Sequence, residues 1–388
     1  MPLIDRLKED SPKRILALDG GGIRGAITIG YLEKLESILR KRHKSPHMRL
    51  SDYFDLIGGT STGSIIAGGL AIGMEVGEIK KLYLKLGDKI FGQKRSIFKR
   101  LSAKFKVSTL EKELDAIFGD ITFASDKIKT GLCIVTKRAD TKSTWPLINH
   151  PNAKFYKYNK NILLKNAIRA SSAAPTYFKP EVFDIGDGQK GAFVDGGVSM
   201  YNNPALLMLL MVTLSGFPFK WKKGEQQLLL ASVGTGYWDI KEKLEDVTDN
   251  KLWDWAGDVI SMLMRDAGDM NQLILQFLSN SPTSVVIDSE IGNLKKDLLT
   301  PEPVLHYVRY DAQLSKENVS KWGFPNIDPK SLYEMSKGEN CEILMKIGAA
   351  AAKKELVNKH FPAAFDKPIG TGTPEFDLEG FIKARTIK

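Results

Sequence analysis

The chain has 388 residues, 43% of them hydrophobic, with 56 lysines and arginines against 46 acidic residues and a formal charge of +10. That length holds one large α/β domain or two of ordinary size, and the apolar share excludes global disorder. The positive balance favours an anionic partner, but no DNA- or RNA-binding motif accompanies it, so nucleic acid is not expected.

The N-terminal stretch Met1-Pro2-Leu3-Ile4-Asp5-Arg6 is charged and lacks the apolar core of a signal peptide. Arg14 to Leu18 reads as a short buried strand that runs into Asp19-Gly20-Gly21-Gly22-Ile23-Arg24-Gly25. A helix over 26–40 follows, with Leu32, Leu35, Ile38 and Leu39 as its apolar stripe. A strand, a glycine-rich turn and a helix make an anion cradle, because bare backbone amides converge on one point. The turn also fits G-x-G-x-x-G, the dinucleotide-binding pattern. No acidic residue closes a second strand about 20 residues on, where that pattern needs one. The stretch there is Lys41-Arg42-His43-Lys44, so a cradle for an oxyanion explains the turn better.

Phe54-Asp55-Leu56-Ile57 can end a second buried strand, and Ser64-Ile65-Ile66-Ala67 can open a buried helix. Between them Gly59-Thr60-Ser61-Thr62-Gly63 fits G-x-S-x-G, which puts a serine on a sharp strand-to-helix turn. Side chains at 59 and 63 would crowd that elbow, and the helix N-terminus favours developing negative charge there. A Gly/Ser turn matching five loose positions by chance is the plainer alternative. Glu78 to Ile90 reads as an amphipathic helix. If 94–106 is helical, Ile97, Phe98, Leu101 and Phe105 share a face flanked by basic residues from Lys94 to Lys106. That is the pattern of a membrane-surface helix, against the alternative of a surface segment packed on the domain.

Leu132 to Thr136 looks like a central strand, and its Cys133 shares no metal-ligand or disulfide spacing with Cys341, which fits a reducing cytoplasm. A short helix over 163–170 ends in Ser171-Ser172-Ala173-Ala174-Pro175-Thr176-Tyr177-Phe178, expected to be a tight turn without chemistry. Ala192-Phe193-Val194 forms a strand that delivers Asp195 into Gly196-Gly197, and Asn202-Asn203-Pro204 precedes the next helix. The longest apolar run, 205–214, is about half of a membrane span, so a soluble protein is expected. Leu228 to Val233 is a further strand, closed by Gly234-Thr235-Gly236. Alternating strands and helices imply a mainly parallel sheet covered on both faces. After Tyr237 the pattern changes to a long helix over 253–278, polar proline-containing sequence, and a last helix over 341–361. A boundary near residue 240 is drawn there.

The cradle, the elbow and the Asp195 turn can meet at the carboxyl ends of neighbouring strands. The elbow supplies a nucleophile, the cradle supplies donors, and Asp195 is a candidate base. Of five histidines, only His306 and His360 fall late enough for the α/β-hydrolase order, and neither sits in a turn that would hold an imidazole beside Ser61.

Asp19-Gly20-Gly21-Gly22-Ile23-Arg24-Gly25, Gly59-Thr60-Ser61-Thr62-Gly63 and Asp195-Gly196-Gly197 together resemble the three signatures of the patatin-like phospholipase family, including its bacterial members. The Ser-Ala-Ala-Pro segment ending at Pro175 and the Asn202-Asn203-Pro204 turn are similar to it as well. The resemblance implies a three-layer α/β/α fold over 12–240, with a more helical extension over 241–388. It implies a Ser61–Asp195 dyad without histidine, cofactor or metal, cleaving membrane phospholipid esters. Gly20, Gly21 and Gly22 would form the oxyanion hole, with Arg24 and Gly25 supporting the loop. Asp-Gly-Gly stands where many members have Asp-Gly-Ala. Some bacterial members resemble nucleotide-activated antiphage effectors, which adds a small nucleotide as a candidate activator. Transfer of the acyl group to an acceptor other than water, and a pure phosphate-binding module, are the remaining alternatives.

Overall fold

Every residue of β1 (Lys13–Leu18) is buried. Leu16 and Leu18 join the core on one side of the sheet, whereas Ile15 and Ala17 join the core on the other. Side chains alternate along a strand, so a strand apolar on both faces belongs in the middle of a covered sheet.

The computed structural model describes residues 2–8, 12–87, 107–175, 178–238, 245, 248, 252–287, 289–368 and 376–386. After β1 come α1 (Gly25–His43), β2 (Leu56–Thr60), α2 (Thr62–Ala71), α3 (Val76–Leu86) and α4 (Val107–Phe118). Then follow β3 (Gly131–Arg138), β4 (Thr144–Ile148), α5 (Leu164–Ser171), β5 (Glu181–Gly186), β6 (Gln189–Asp195) and α6 (Ala205–Thr213). The remaining elements are β7 (Leu228–Val233), α7 (Leu252–Phe277), β8 (Ser279–Asn280), β9 (Leu305–Tyr310) and α8 (Cys341–Glu355).

Among the described residues, nine strands form one sheet in the order β5-β6-β3-β2-β1-β7-β9-β8, with β4 paired to β3 beside this path. The pairs β3–β2, β2–β1, β1–β7, β7–β9 and β9–β8 are parallel, and β4, β5 and β6 add antiparallel pairs at one end. The chain is therefore the expected α/β fold, with a mostly parallel central sheet between two layers of helices. Three strands were not visible in the sequence, among them the two-residue β8. β4 carries Pro146, which has no N–H to donate, and β5 alternates half-buried residues with the exposed Val182 and Asp184, so it has no apolar face to read.

The sheet does not stop at residue 240. β9 pairs with β7 in parallel from Leu229↔His306 to Val233↔Tyr310, so the segment after 240 contributes a buried strand to the same sheet. It also supplies α8, which crosses α1 at a glycine contact. A Cβ on Gly30 would lie 2.3 Å from the Ala349 nitrogen, and one on Gly348 would lie 2.4 Å from the Ile27 carbonyl oxygen. The expected 341–361 helix ends at Glu355, with Leu356 extended. No helix among the described residues is long and apolar enough to cross a membrane. The basic 94–106 stretch lies outside the described residues.

Register positions the site. β2 pairs with β3 up to Thr60↔Val135, and β6 pairs with the next β3 residues, beginning at Thr136↔Asp195. The strand ends that lead to Ser61 and Asp195 thus meet over consecutive residues of β3.

Candidate active site

Ser61 caps α2 with φ 52° and ψ −122°, a positive-φ conformation that a residue with a side chain rarely adopts. The turn is forced by close approach. A Cβ on Gly59 would lie 2.1 Å from the Gly63 carbonyl oxygen, and one on Gly63 would lie 2.2 Å from the Leu18 carbonyl oxygen. Neighbours fix the strained residue. Its N–H donates to Ser171 Oγ at 2.9 Å, and its carbonyl accepts from Ser64 N at 2.8 Å and Ser64 Oγ at 2.6 Å. Thr60 Oγ1 donates to the Tyr201 carbonyl at 2.8 Å.

The Ser61 hydroxyl donates to Asp195 Oδ2 at 2.7 Å. The other carboxylate oxygen accepts the Gly197 N–H at 2.7 Å, as the cap of the Gly196–Val198 turn. Gly196 is wedged against β3, where a Cβ would lie 2.4 Å from the Val135 carbonyl. Burial pushes the Asp195 carboxyl up to about 6, against the opposing hydrogen bonds from Ser61 and Gly197.

The turn after α5 does more than pack. Ser171 accepts the Ser61 amide, and the Ala173 carbonyl accepts the Asp195 amide at 3.1 Å. One short segment therefore holds the backbones of both residues, a structural role that needs no chemistry of its own. Thr176 and Tyr177 lie outside the described residues.

The glycine loop also departs from its expected use. Gly20 N–H donates to the Asn202 carbonyl at 3.1 Å, and Arg24 N–H donates to the Gly21 carbonyl at 3.2 Å. Gly25 N–H donates to the carbonyls of Gly22 and Ile23. Gly20 is therefore not a free donor. The amides of Gly21 and Gly22 have no hydrogen-bond partner among the described residues, and their directions are set by the carbonyls before them, since N–H and C=O of a trans peptide point opposite ways. The Gly20 carbonyl accepts from Thr235 Oγ1 at 3.1 Å and Asn202 Nδ2 at 3.3 Å. The Gly21 carbonyl accepts from the Arg24 amide and from its Nε at 3.4 Å. Gly22 has φ +59°, and a Cβ there would meet the Met335 carbonyl oxygen at 2.7 Å. The Arg24 guanidinium stacks over Trp238 at 5.1 Å and Tyr333 at 5.9 Å.

Tyr83 of α3 joins this loop to the elbow. Its hydroxyl donates to the Gly22 carbonyl at 2.8 Å and accepts from Thr62 Oγ1. No sequence signal marked Tyr83, Ser171 or Thr235, because each reaches the site only through packing of its element. Exposed apolar side chains border the loops. Val198 and Met200 follow the aspartate turn, Tyr237 follows Gly236, and Met335 abuts Gly22.

The histidines are engaged elsewhere. His306 Nε2 bonds the His360 carbonyl at 2.9 Å, and His360 Nδ1 bonds the Tyr310 hydroxyl at 2.9 Å. The side-chain partners of Asp195 are Ser61 and the Gly197 amide, with no imidazole among them.

The chain is similar to known proteins over much of its length. VipD from Legionella pneumophila aligns with 87% of this chain and 67% of its own, at 12% identity and a TM-score of 0.34. A cGAMP-activated phospholipase from Escherichia coli (strain TW11681) is 33% identical over 210 residues, which is 52% of this chain and 57% of that protein. Patatin-T5 from Solanum tuberosum is 30% identical over 377 residues, covering 92% of this chain and 87% of that protein. The family profile described as patatin-like phospholipase matches residues 16–209. The chain belongs to the patatin-like phospholipase family.

Proposed function

We propose that this chain is a serine acyl hydrolase of phospholipid or lysophospholipid esters, working through Ser61 and Asp195 alone. The observation that carries this reading is the 2.7 Å hydrogen bond from the Ser61 hydroxyl to Asp195 Oδ2 at a buried carboxylate. A free aspartate, with a pKa of ~4, is a poor base toward an alcohol. Burial narrows that gap, and a pair of oriented amides lowers the rest of the barrier.

In this reading Ser61 Oγ attacks the ester carbonyl carbon as its proton passes to Asp195. The carbonyl oxygen becomes an oxyanion facing the Gly21 and Gly22 amides. Collapse breaks the ester bond, Asp195 returns the proton to the leaving alcohol, and an acyl-Ser61 intermediate remains. Water then attacks the acyl carbon with Asp195 as base, releasing a fatty acid and free Ser61. These steps need no metal or cofactor. The apolar residues bordering the loops suit an acyl chain, and a membrane surface reached from the cytoplasm is the setting. Residues 241–388 complete the sheet that carries the catalytic motifs of 12–240, through β9 beside β7.

A second reading makes the same hydrolase nucleotide-gated, a bacterial effector that degrades membrane in antiphage defence. It is supported by the 33% identity to a cGAMP-activated phospholipase. Both readings are tested by labelling with a fluorophosphonate followed by peptide mass analysis. Adduct on Ser61 alone, lost in Ser61→Ala, is the expected result, and adduct that appears only with a cyclic dinucleotide supports the second reading. An unlabelled Ser61 under every condition contradicts both.

A further inference from the structure

The glycine loop starts at a buried carboxylate whose partner lies beyond the family match. Asp19 accepts both arms of the Arg309 guanidinium, Nη1 to Oδ1 at 2.8 Å and Nη2 to Oδ2 at 2.7 Å. Arg309 belongs to β9, and the two side chains are only 7% and 8% exposed. The same guanidinium donates to Ser232 Oγ of β7 at 2.8 Å and to Asp311 Oδ2 at 2.6 Å. Asp311 Oδ1 accepts the Gly236 N–H at 2.7 Å. One cation thus ties the end of β1 to β7 and to the 234–236 turn, whose Thr235 hydroxyl holds the Gly20 carbonyl.

The strand has no need of this fork. The Asp19 amide already donates to the Val233 carbonyl at 3.1 Å, and β1 is complete at Leu18. A buried ion pair is a poor stabiliser compared with apolar packing, but a bidentate one fixes orientation. Orientation must come to the next residues from outside, as the bonds from Thr235, Asn202 and Arg24 to the Gly20 and Gly21 carbonyls show. Gly20, Gly21 and Gly22 have no side chains of their own to hold their peptides in one pose.

We propose that Arg309 is a positioning residue for ester hydrolysis at Ser61, acting through Asp19 to aim the Gly21 and Gly22 amides. This rests on the reading of those amides as oxyanion donors. Arg309 touches neither the substrate nor the reacting atoms.

The test is hydrolysis of p-nitrophenyl butyrate by the full chain, with kcat expressed per folded molecule from circular dichroism. Arg309→Lys keeps the charge but loses the planar fork. Its kcat should fall about 10- to 100-fold, with KM changed less than about twofold, because a misplaced oxyanion donor is felt in the transition state. Asp19→Asn should cause a similar fall, and the double variant should be no slower than the slower single one. Wild-type kcat in Arg309→Lys, falls that multiply in the double variant, or a lowered Tm with unchanged kcat would each overturn the inference. If Arg309→Lys does not fold, Asp19→Asn decides, since it leaves Arg309 bonded to Asp311 and Ser232; unchanged kcat there overturns it. Hydrolysis that survives Ser61→Ala defeats the proposed function and this inference with it. Hydrolysis lost in Ser61→Ala but kept at full kcat in Arg309→Lys defeats the inference alone.

Discussion

At the level of single residues, the chemistry turns on a carboxylate held where ionisation is unfavourable. Burial raises Asp195 to about 6, above the ~4 of an unfolded aspartate. Below that value the carboxyl is protonated and cannot take the serine proton, so kcat/KM should rise as pH increases through about 6 and level off above it. A pH–rate profile from 4.5 to 8 checks this, and a flat profile contradicts it. The same shift has a stability sign. The folded state binds the Asp195 proton more tightly than the unfolded state, so its contribution is most favourable below pH ~4 and is lost as pH rises towards 6. Asp195→Asn removes that cost. At pH 7.5 its Tm should be no lower than wild type, while turnover falls by about 10³-fold or more. A clear drop in Tm would mean that the carboxylate stabilises the fold.

At the level of elements, the site depends on short segments that arrive from separate parts of the chain. The Ser171 hydroxyl both accepts the Ser61 amide and donates to the Val135 carbonyl at 2.6 Å. Ser171→Ala should therefore cost about 1–3 kcal/mol of stability, by leaving a buried amide without a partner. It should also slow acylation, measured by urea unfolding and by fluorophosphonate labelling rate; a neutral effect on both would contradict this role. The features legible in the sequence are those where backbone geometry leaves no choice of residue. The elbow reads clearly because Gly59 and Gly63 face backbone atoms just over 2 Å from where a Cβ would sit. The cradle reads clearly because Gly22 has a positive φ and a carbonyl against it. Donors that fix these turns read poorly. Tyr83, Ser171 and Thr235 are ordinary residues in an amphipathic helix, a small-residue turn and a strand end, and only tertiary packing brings their hydroxyls to the loop. The engagement of the Gly20 amide reads poorly for the same reason, since it donates to the carbonyl of Asn202, 182 residues away.

For the molecule as a whole, the stretch after 240 completes the sheet on which the site is built. β9 covers β7, and α8 meets α1 through Gly30 and Gly348. A chain ending at residue 240 would expose the β7 edge and the apolar face of α1, so it should fail to give a cooperative thermal transition. Gly348→Val probes the same contact gently and should lower stability by about 1–3 kcal/mol or more through overpacking, without touching the site. A cooperatively folded 1–240 fragment would show that the extension is dispensable.

The central claim is that Ser61 and Asp195 suffice, with no histidine in the reaction. It is tested most directly by fatty-acid release from phospholipid vesicles, with and without cyclic dinucleotides, for wild type, Ser61→Ala, Asp195→Asn and His306→Gln. Release by wild type and His306→Gln, lost in both Ser61→Ala and Asp195→Asn, is the predicted result. Release that survives Asp195→Asn, or that disappears in a folded His306→Gln, would contradict it.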